Sequence, residues 1–186
     1  AGQLRVPFTT GILIGIGEGR RDRIESLLAI ADLHAQYGHV QEVIIQNFLA
    51  KPETPMGGAP NAETEEFLWT VAMARLILGS EVNLQVPPNL SANNYQIYLN
   101  AGINDWGGVS PLTIDFVNPE APWPQLSELE RQTAEHGKVL VECLALYPAY
   151  AMQPTRWLDK ALRTRVLRSI DTGGFARVEQ WSPGEG

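Results

Sequence analysis

The feature that most restricts the fold is a rhythm: short apolar, β-branched runs alternate with segments of helical periodicity. Residues 7–15 (Pro-Phe-Thr-Thr-Gly-Ile-Leu-Ile-Gly), 40–48, 82–86 and 103–106 read as strands, the first of them suited to burial on both faces. Residues 22–37 carry Ile24, Leu27, Leu28 and Ala31 at helical spacing, and Gly38 stops that helix. Asn61 is placed to cap a helix over 62–78, with Glu63, Glu65 and Glu66 in its first turns, and Ser91 to cap another over 91–99 that Gly102 ends. A β-α-β-α-β-α-β order, with strands about 20 to 40 residues apart, predicts a parallel α/β sheet joined by crossovers. Beyond it, 108–124 is turn-rich and 125–137 helical. A further short strand is expected at 139–146, an amphipathic helix at 155–170 and a frayed tail at 171–186.

With 44% apolar and 19% charged residues, the 186-residue chain can bury a core and is not disordered by composition. Its longest apolar stretches, 8–17 and 67–79, fall short of the roughly 20 residues that span a bilayer. No basic segment followed by an apolar one opens the chain, so a cytoplasmic location is expected. The net charge of -7, with no basic cluster longer than Arg20-Arg21, argues against nucleic acid and for small-molecule partners. A single cysteine, Cys143, makes no internal disulfide and cannot alone hold zinc or an iron–sulfur cluster. The chain starts at Ala1-Gly2-Gln3-Leu4 and runs straight into a strand, so its first residue is not expected to be a natural domain boundary.

The glycines at 15, 17 and 19 invite a dinucleotide reading, but Arg20 stands where G-x-G-x-x-G needs glycine, and tight turning from strand to helix also explains them. No phosphate-cradling loop, nucleophile elbow or H-E-x-x-H occurs. His34 on a helix, His39 at a strand start and His136 at a helix end do not form a site by spacing, and Cys143 reads as a small core residue. More informative are polar residues at the carboxyl ends of the strands: Glu18, Gln46 and Asn47, Asn89, Asn104 and Asp105. That is the end where parallel α/β proteins bind ligands. Helix capping is the competing reading, for Asn89 above all. At 104–108, Gly107 and Gly108 beside Trp106 allow close approach of a flat ligand.

The run Gly11-Ile12-Leu13-Ile14-Gly15-Ile16-Gly17-Glu18 is similar to the G-x-I-x-G-x-x-E signature on the fifth strand of radical S-adenosylmethionine enzymes, with Leu13 where isoleucine is usual. Taken with residues 39–48, Lys51-Pro52-Glu53-Thr54-Pro55-Met56, Asn104-Asp105-Trp106-Gly107-Gly108-Val109-Ser110-Pro111 and 117–124, nearly the whole chain resembles the CofG-type FO synthase family. The resemblance implies an α/β fold: the second half, strands five to eight, of a radical S-adenosylmethionine TIM-type (β/α) barrel over 1–124. A C-terminal helical extension and tail over 125–186 would belong to the same domain. A complete barrel of this type takes about 250 residues. The C-x-x-x-C-x-x-C loop for a [4Fe-4S] cluster does not occur in this sequence, so the cluster and most S-adenosylmethionine contacts would come from a segment absent here.

What the resemblance implies for chemistry is a lyase in the full-length protein. It would cyclise the adduct of tyrosine and 5-amino-6-(D-ribitylamino)uracil, made by the companion enzyme CofH, to 7,8-didemethyl-8-hydroxy-5-deazariboflavin with loss of ammonia, in coenzyme F420 biosynthesis. This chain alone would be inactive and would associate with the missing N-terminal barrel half or with itself. By the same resemblance Gly11, Leu13, Gly15 and Glu18 support the adenine pocket and the strand at Gln46, Asn47 and Phe48 edges the adenine. Asn104 and Asp105 would be catalytic, with Trp106, Gly107, Gly108 and Ser110 facing substrate. The alternatives are CofH-like or menaquinone-pathway radical enzymes, which share the Asn-Asp-x-Gly-Gly strand, and a non-catalytic α/β binding module that lacks the cluster.

Overall fold

Three of the four expected strands pair in the computed structural model, which describes residues 1–91, 95–110 and 112–177. The first turn of the helix expected after Ser91, Pro111 and the tail from 178 lie outside those residues. Strands β1 (Phe8–Ile14), β2 (Val40–Asn47) and β3 (Asn83–Gln85) form a parallel sheet in the order β1-β2-β3. Helix α1 (Arg20–Tyr37) connects the first two strands and ends at Gly38 in the left-handed conformation; α2 (Thr64–Leu78) connects the next two. Helix α3 (Tyr95–Ala101) follows β3 and a single 3-10 turn at Asn89–Ser91.

The fourth expected strand is reduced to one parallel bridge, Gln85 with Asp105. Asn104 accounts for this. Its backbone N–H reaches the Leu84 carbonyl, but the Leu84 N–H goes to the Asn104 side-chain oxygen at 2.8 Å in place of a backbone carbonyl, and Gly107, at φ 69°, then turns the chain away. The fold is therefore α/β with a small parallel sheet.

Register divides the sheet into two faces. Pairing sets Thr9 beside Glu42, Gly11 beside Ile44 and Leu13 beside Gln46 on one face, while Ile12, Ile14, Val43 and Ile45 point to the other. The second face is sealed by the helices, with Ile14, Val43, Ile45, Leu27, Val71 and Leu84 fully buried. The first is open at its carboxyl end, where Leu13 is 42% exposed, and closed at its amino end by Tyr147 from the C-terminal segment.

Several expectations give way to local chemistry. Helix α2 begins at Thr64, because the Asn61 side-chain oxygen is engaged by the Ala50 N–H at 2.8 Å and closes the 49–60 loop instead of capping a helix. Helix α4 (Leu126–Glu135) matches its pattern. Residues 139–146 form no strand; their carbonyls are used singly, by the Gln41 side chain at Ala145 and the Ala176 N–H at Glu142. The long terminal helix is broken into α6 (Pro154–Trp157) and α7 (Lys160–Arg168), preceded by the short α5 (Pro148–Ala151). Leu158 is extended at the break and Asp159 caps the second piece through the Ala161 N–H. In the segment expected to fray, residues 171–177 form a closed turn, with an Ile170–Ala176 bridge and Asp171 accepting from Gly173 and Phe175.

Candidate functional site

The carboxyl ends of the strands are shaped by glycine and by one buried arginine. Gly15 and Gly17 both take positive φ, and a side chain at Gly15 would strike Ala62. Glu18 folds back over this turn. Its carboxylate accepts the Gly15 and Ile16 N–H groups, both at 2.9 Å, and the Arg23 Nε at 2.8 Å. Burial alone would raise its pKa, but these donors outweigh it and hold the group below the usual carboxylate range. Arg23, 7% exposed, continues to Glu66 at 2.8 Å and to the Thr70 hydroxyl, and Arg20 reaches Glu66 while lying over Trp69. Glu18 thus fixes the β1 turn to α1 and α2, with its oxygens already occupied.

Gly11 and Leu13 lie on the open face, and any side chain at Gly11 would collide with the Ile44 backbone. Gln46 is their neighbour on that face. Asn47 donates to the Leu90 carbonyl at 3.2 Å, while its own oxygen is buried with no hydrogen-bond partner. The Phe48 N–H is taken by Ile14 and its carbonyl by Ala62.

At the second cluster the residues 104–110 do not act as a unit. Asp105 turns toward the open face, accepts the Gly107 N–H at 2.5 Å and meets the Tyr147 hydroxyl at 2.9 Å. Asn104 points toward the helices, accepting from Arg75 at 2.8 Å and donating to Asn83. Trp106 is buried between α3 and α4, edge-on to Tyr95 at 5.0 Å, its indole N–H donating to Thr133. Gly107 leaves room for the Gln85 amide, Gly108 is open, and Ser110 accepts from the Thr113 N–H and hydroxyl. Asn89 donates to Asp115 and the Ala121 carbonyl, tying down the 112–125 loop; Asn118 and the Val117 and Asn118 N–H groups hold the Asp115 pKa at about 2.

Two residues escaped the sequence reading. Glu42 lies in β2 beneath Tyr147, whose hydroxyl is 2.7 Å away, and Thr9 donates to its other oxygen at 3.0 Å. Burial raises the pKa of both Glu42 and Asp105, and burial together with these two carboxylates pushes the Cys143 thiol up to about 11. A carboxylate inside an otherwise apolar strand run was the available signal for Glu42. Tyr147 had none. His34 and His39 each carry a buried ring nitrogen without a partner at the opposite, amino end of the sheet.

No family model and no solved structure matches the chain. It is 52% identical over 177 residues to a 7,8-didemethyl-8-hydroxy-5-deazariboflavin synthase of Methanopyrus kandleri, a match covering 95% of this chain and 52% of that protein. FO synthases of Streptomyces avermitilis (52% over 180 residues) and Mycobacterium tuberculosis (49% over 179 residues) match 96% and 95% of the chain and 21% of their own lengths. The chain therefore spans about half of the first relative and about a fifth of the others.

Proposed function

We propose that this chain is a portion of an FO synthase and forms part of the ligand-binding face of a deazaflavin-producing radical lyase. The observation that carries the reading is identity near one half sustained over 95% of the chain to relatives bearing that name. The parallel sheet, with Asp105 on its open face, suits a half-barrel that closes against residues outside this sequence.

The residues here do not fit an iron–sulfur cluster. The sequence has one cysteine, and among the described residues no group of three or more His, Cys, Asp or Glu is arranged to hold a metal ion. They do suit the nucleoside part of S-adenosylmethionine. The open face offers Gly11 and Leu13 as a flat apolar surface with Gln46 beside them, and the orphaned Asn47 oxygen at the carboxyl end of β2, on the opposite face, is a spare acceptor at its rim. When bound with its cluster, S-adenosylmethionine supplies a hydrogen-abstracting radical. Glu18, Gly15 and Gly17 hold the loop that borders the nucleoside. Asp105, with Gly107, Gly108 and Ser110, orients the tyrosine–diaminouracil adduct, and Asn104 and Trp106 hold that strand end from behind.

The test is anaerobic turnover of the full-length protein after cluster reconstitution, with S-adenosylmethionine and the tyrosine–diaminouracil adduct, read by chromatography. Formation of 7,8-didemethyl-8-hydroxy-5-deazariboflavin is expected. Cleavage of S-adenosylmethionine with the adduct unchanged would overturn the assignment and point to a sister radical enzyme.

A further inference from the structure

One hydroxyl stands between two carboxylates. Tyr147 Oη is 2.7 Å from Glu42 Oε1 and 2.9 Å from Asp105 Oδ2, both within hydrogen-bond distance. The outer oxygens are spoken for: Thr9 donates to Glu42 Oε2 and the Gly107 N–H to Asp105 Oδ1. A phenol has one hydrogen, so it can donate to one carboxylate only. With both carboxylates ionised, the second contact would set a charged oxygen against the phenol lone pair with no hydrogen between them. A single added proton repairs this, because one carboxyl then donates to the phenol oxygen while the phenol donates to the other.

Among the described residues, the surroundings supply no compensating charge. The groups facing the trio are Thr9 from β1, Gln41 from β2, Gln85 from β3 against Gly107, and Cys143 from the C-terminal segment. None of these is a cation. Glu42 and Tyr147 are each 7% exposed, so water replaces the missing hydrogen poorly. Burial displaces both carboxyls toward the protonated form, in keeping with this geometry.

We propose that Glu42 and Asp105 share one proton at neutral pH, in addition to the Tyr147 phenol's own, a proton store on the open face of the sheet that also latches the 138–147 segment across it. The segment is docked beside it by Gln41, which donates to the Ala145 carbonyl at 3.1 Å and accepts the Tyr147 N–H at 3.2 Å. Losing the proton leaves two like charges across one phenol and loosens that latch. The idea stands apart from the synthase assignment, since it concerns the unliganded protein.

Infrared spectroscopy of the full-length protein decides it. A carboxylic-acid C=O band, shifted in heavy water, is expected at pH 7, disappearing as pH is raised and absent at pH 7 from both Glu42→Gln and Asp105→Asn. Absence of the band from the wild-type protein at pH 7 overturns the proposal without recourse to any variant, as does a band that survives in both.

Discussion

Trp106 and Gly107 are adjacent, yet one is held in the helical layer and the other borders the open face. Gly107 sits at φ 69°, and a methyl group there would run into the Gln85 amide, whereas Gly108 faces open space. Gly107→Ala should therefore cost more than the roughly 1–2 kcal/mol of the left-handed backbone alone, and Gly108→Ala should be near neutral. Thermal unfolding of the two variants in the full-length protein measures the difference; equal midpoints would mean that the turn at 107 is not as described. Arg23 offers a second contrast. Its removal strands Glu18, and loss of a buried ion-pair partner costs about 3–5 kcal/mol, whereas the exposed Arg21–Glu25 pair contributes little. Arg23→Ala should lower the unfolding midpoint markedly and Arg21→Ala should not.

At the scale of elements, Asp159 is the side chain that restarts the broken terminal helix, and Asp159→Ala should cost about 1 kcal/mol with a loss of helical signal by circular dichroism. The 112–125 loop depends on Asp115, whose pKa is lowered to about 2 from an ordinary value near 4. A lowered folded-state value means that the tie is complete above the unfolded pKa and is lost as pH falls from about 4 through 2. Hydrogen exchange at the Val117 and Asn118 amides should lose protection across that window, and Asn118→Ala should move the loss to higher pH. Elements written by periodicity were legible: β1, β2, α1 and α4 follow their apolar spacing within a few residues. The breaks were not, because they arise from side chains substituting for backbone. Asn104 ends the fourth strand by taking the Leu84 N–H, and Asn61 serves a loop where helix capping was expected. Spacing placed Asp105 and Glu18 at the carboxyl ends of strands, where they lie, but could not show that Glu18 is consumed by its own turn. It could not foresee a tyrosine arriving from about 40 residues beyond Asp105.

At the scale of the whole molecule, no strand among the described residues lies beside the outer edge of β1, and Phe8, Leu13 and Ile16 are each between 42% and 47% exposed. An open edge with apolar residues is a surface for pairing. The isolated chain should self-associate or pair with another segment through this edge, as sedimentation and a hydrophobe-binding dye would report; a monodisperse, dye-negative monomer would show that this face is satisfied internally. In the proposed function the open face near Asp105 receives substrate while the β1 turn serves the nucleoside. The most direct measurement is the ratio of deazaflavin to 5'-deoxyadenosine formed by Asp105→Asn in the full-length enzyme under anaerobic turnover. A fall in that ratio on the order of a hundredfold is expected, with S-adenosylmethionine cleavage retained. An unchanged ratio, whether both products fall together or neither falls, would contradict it.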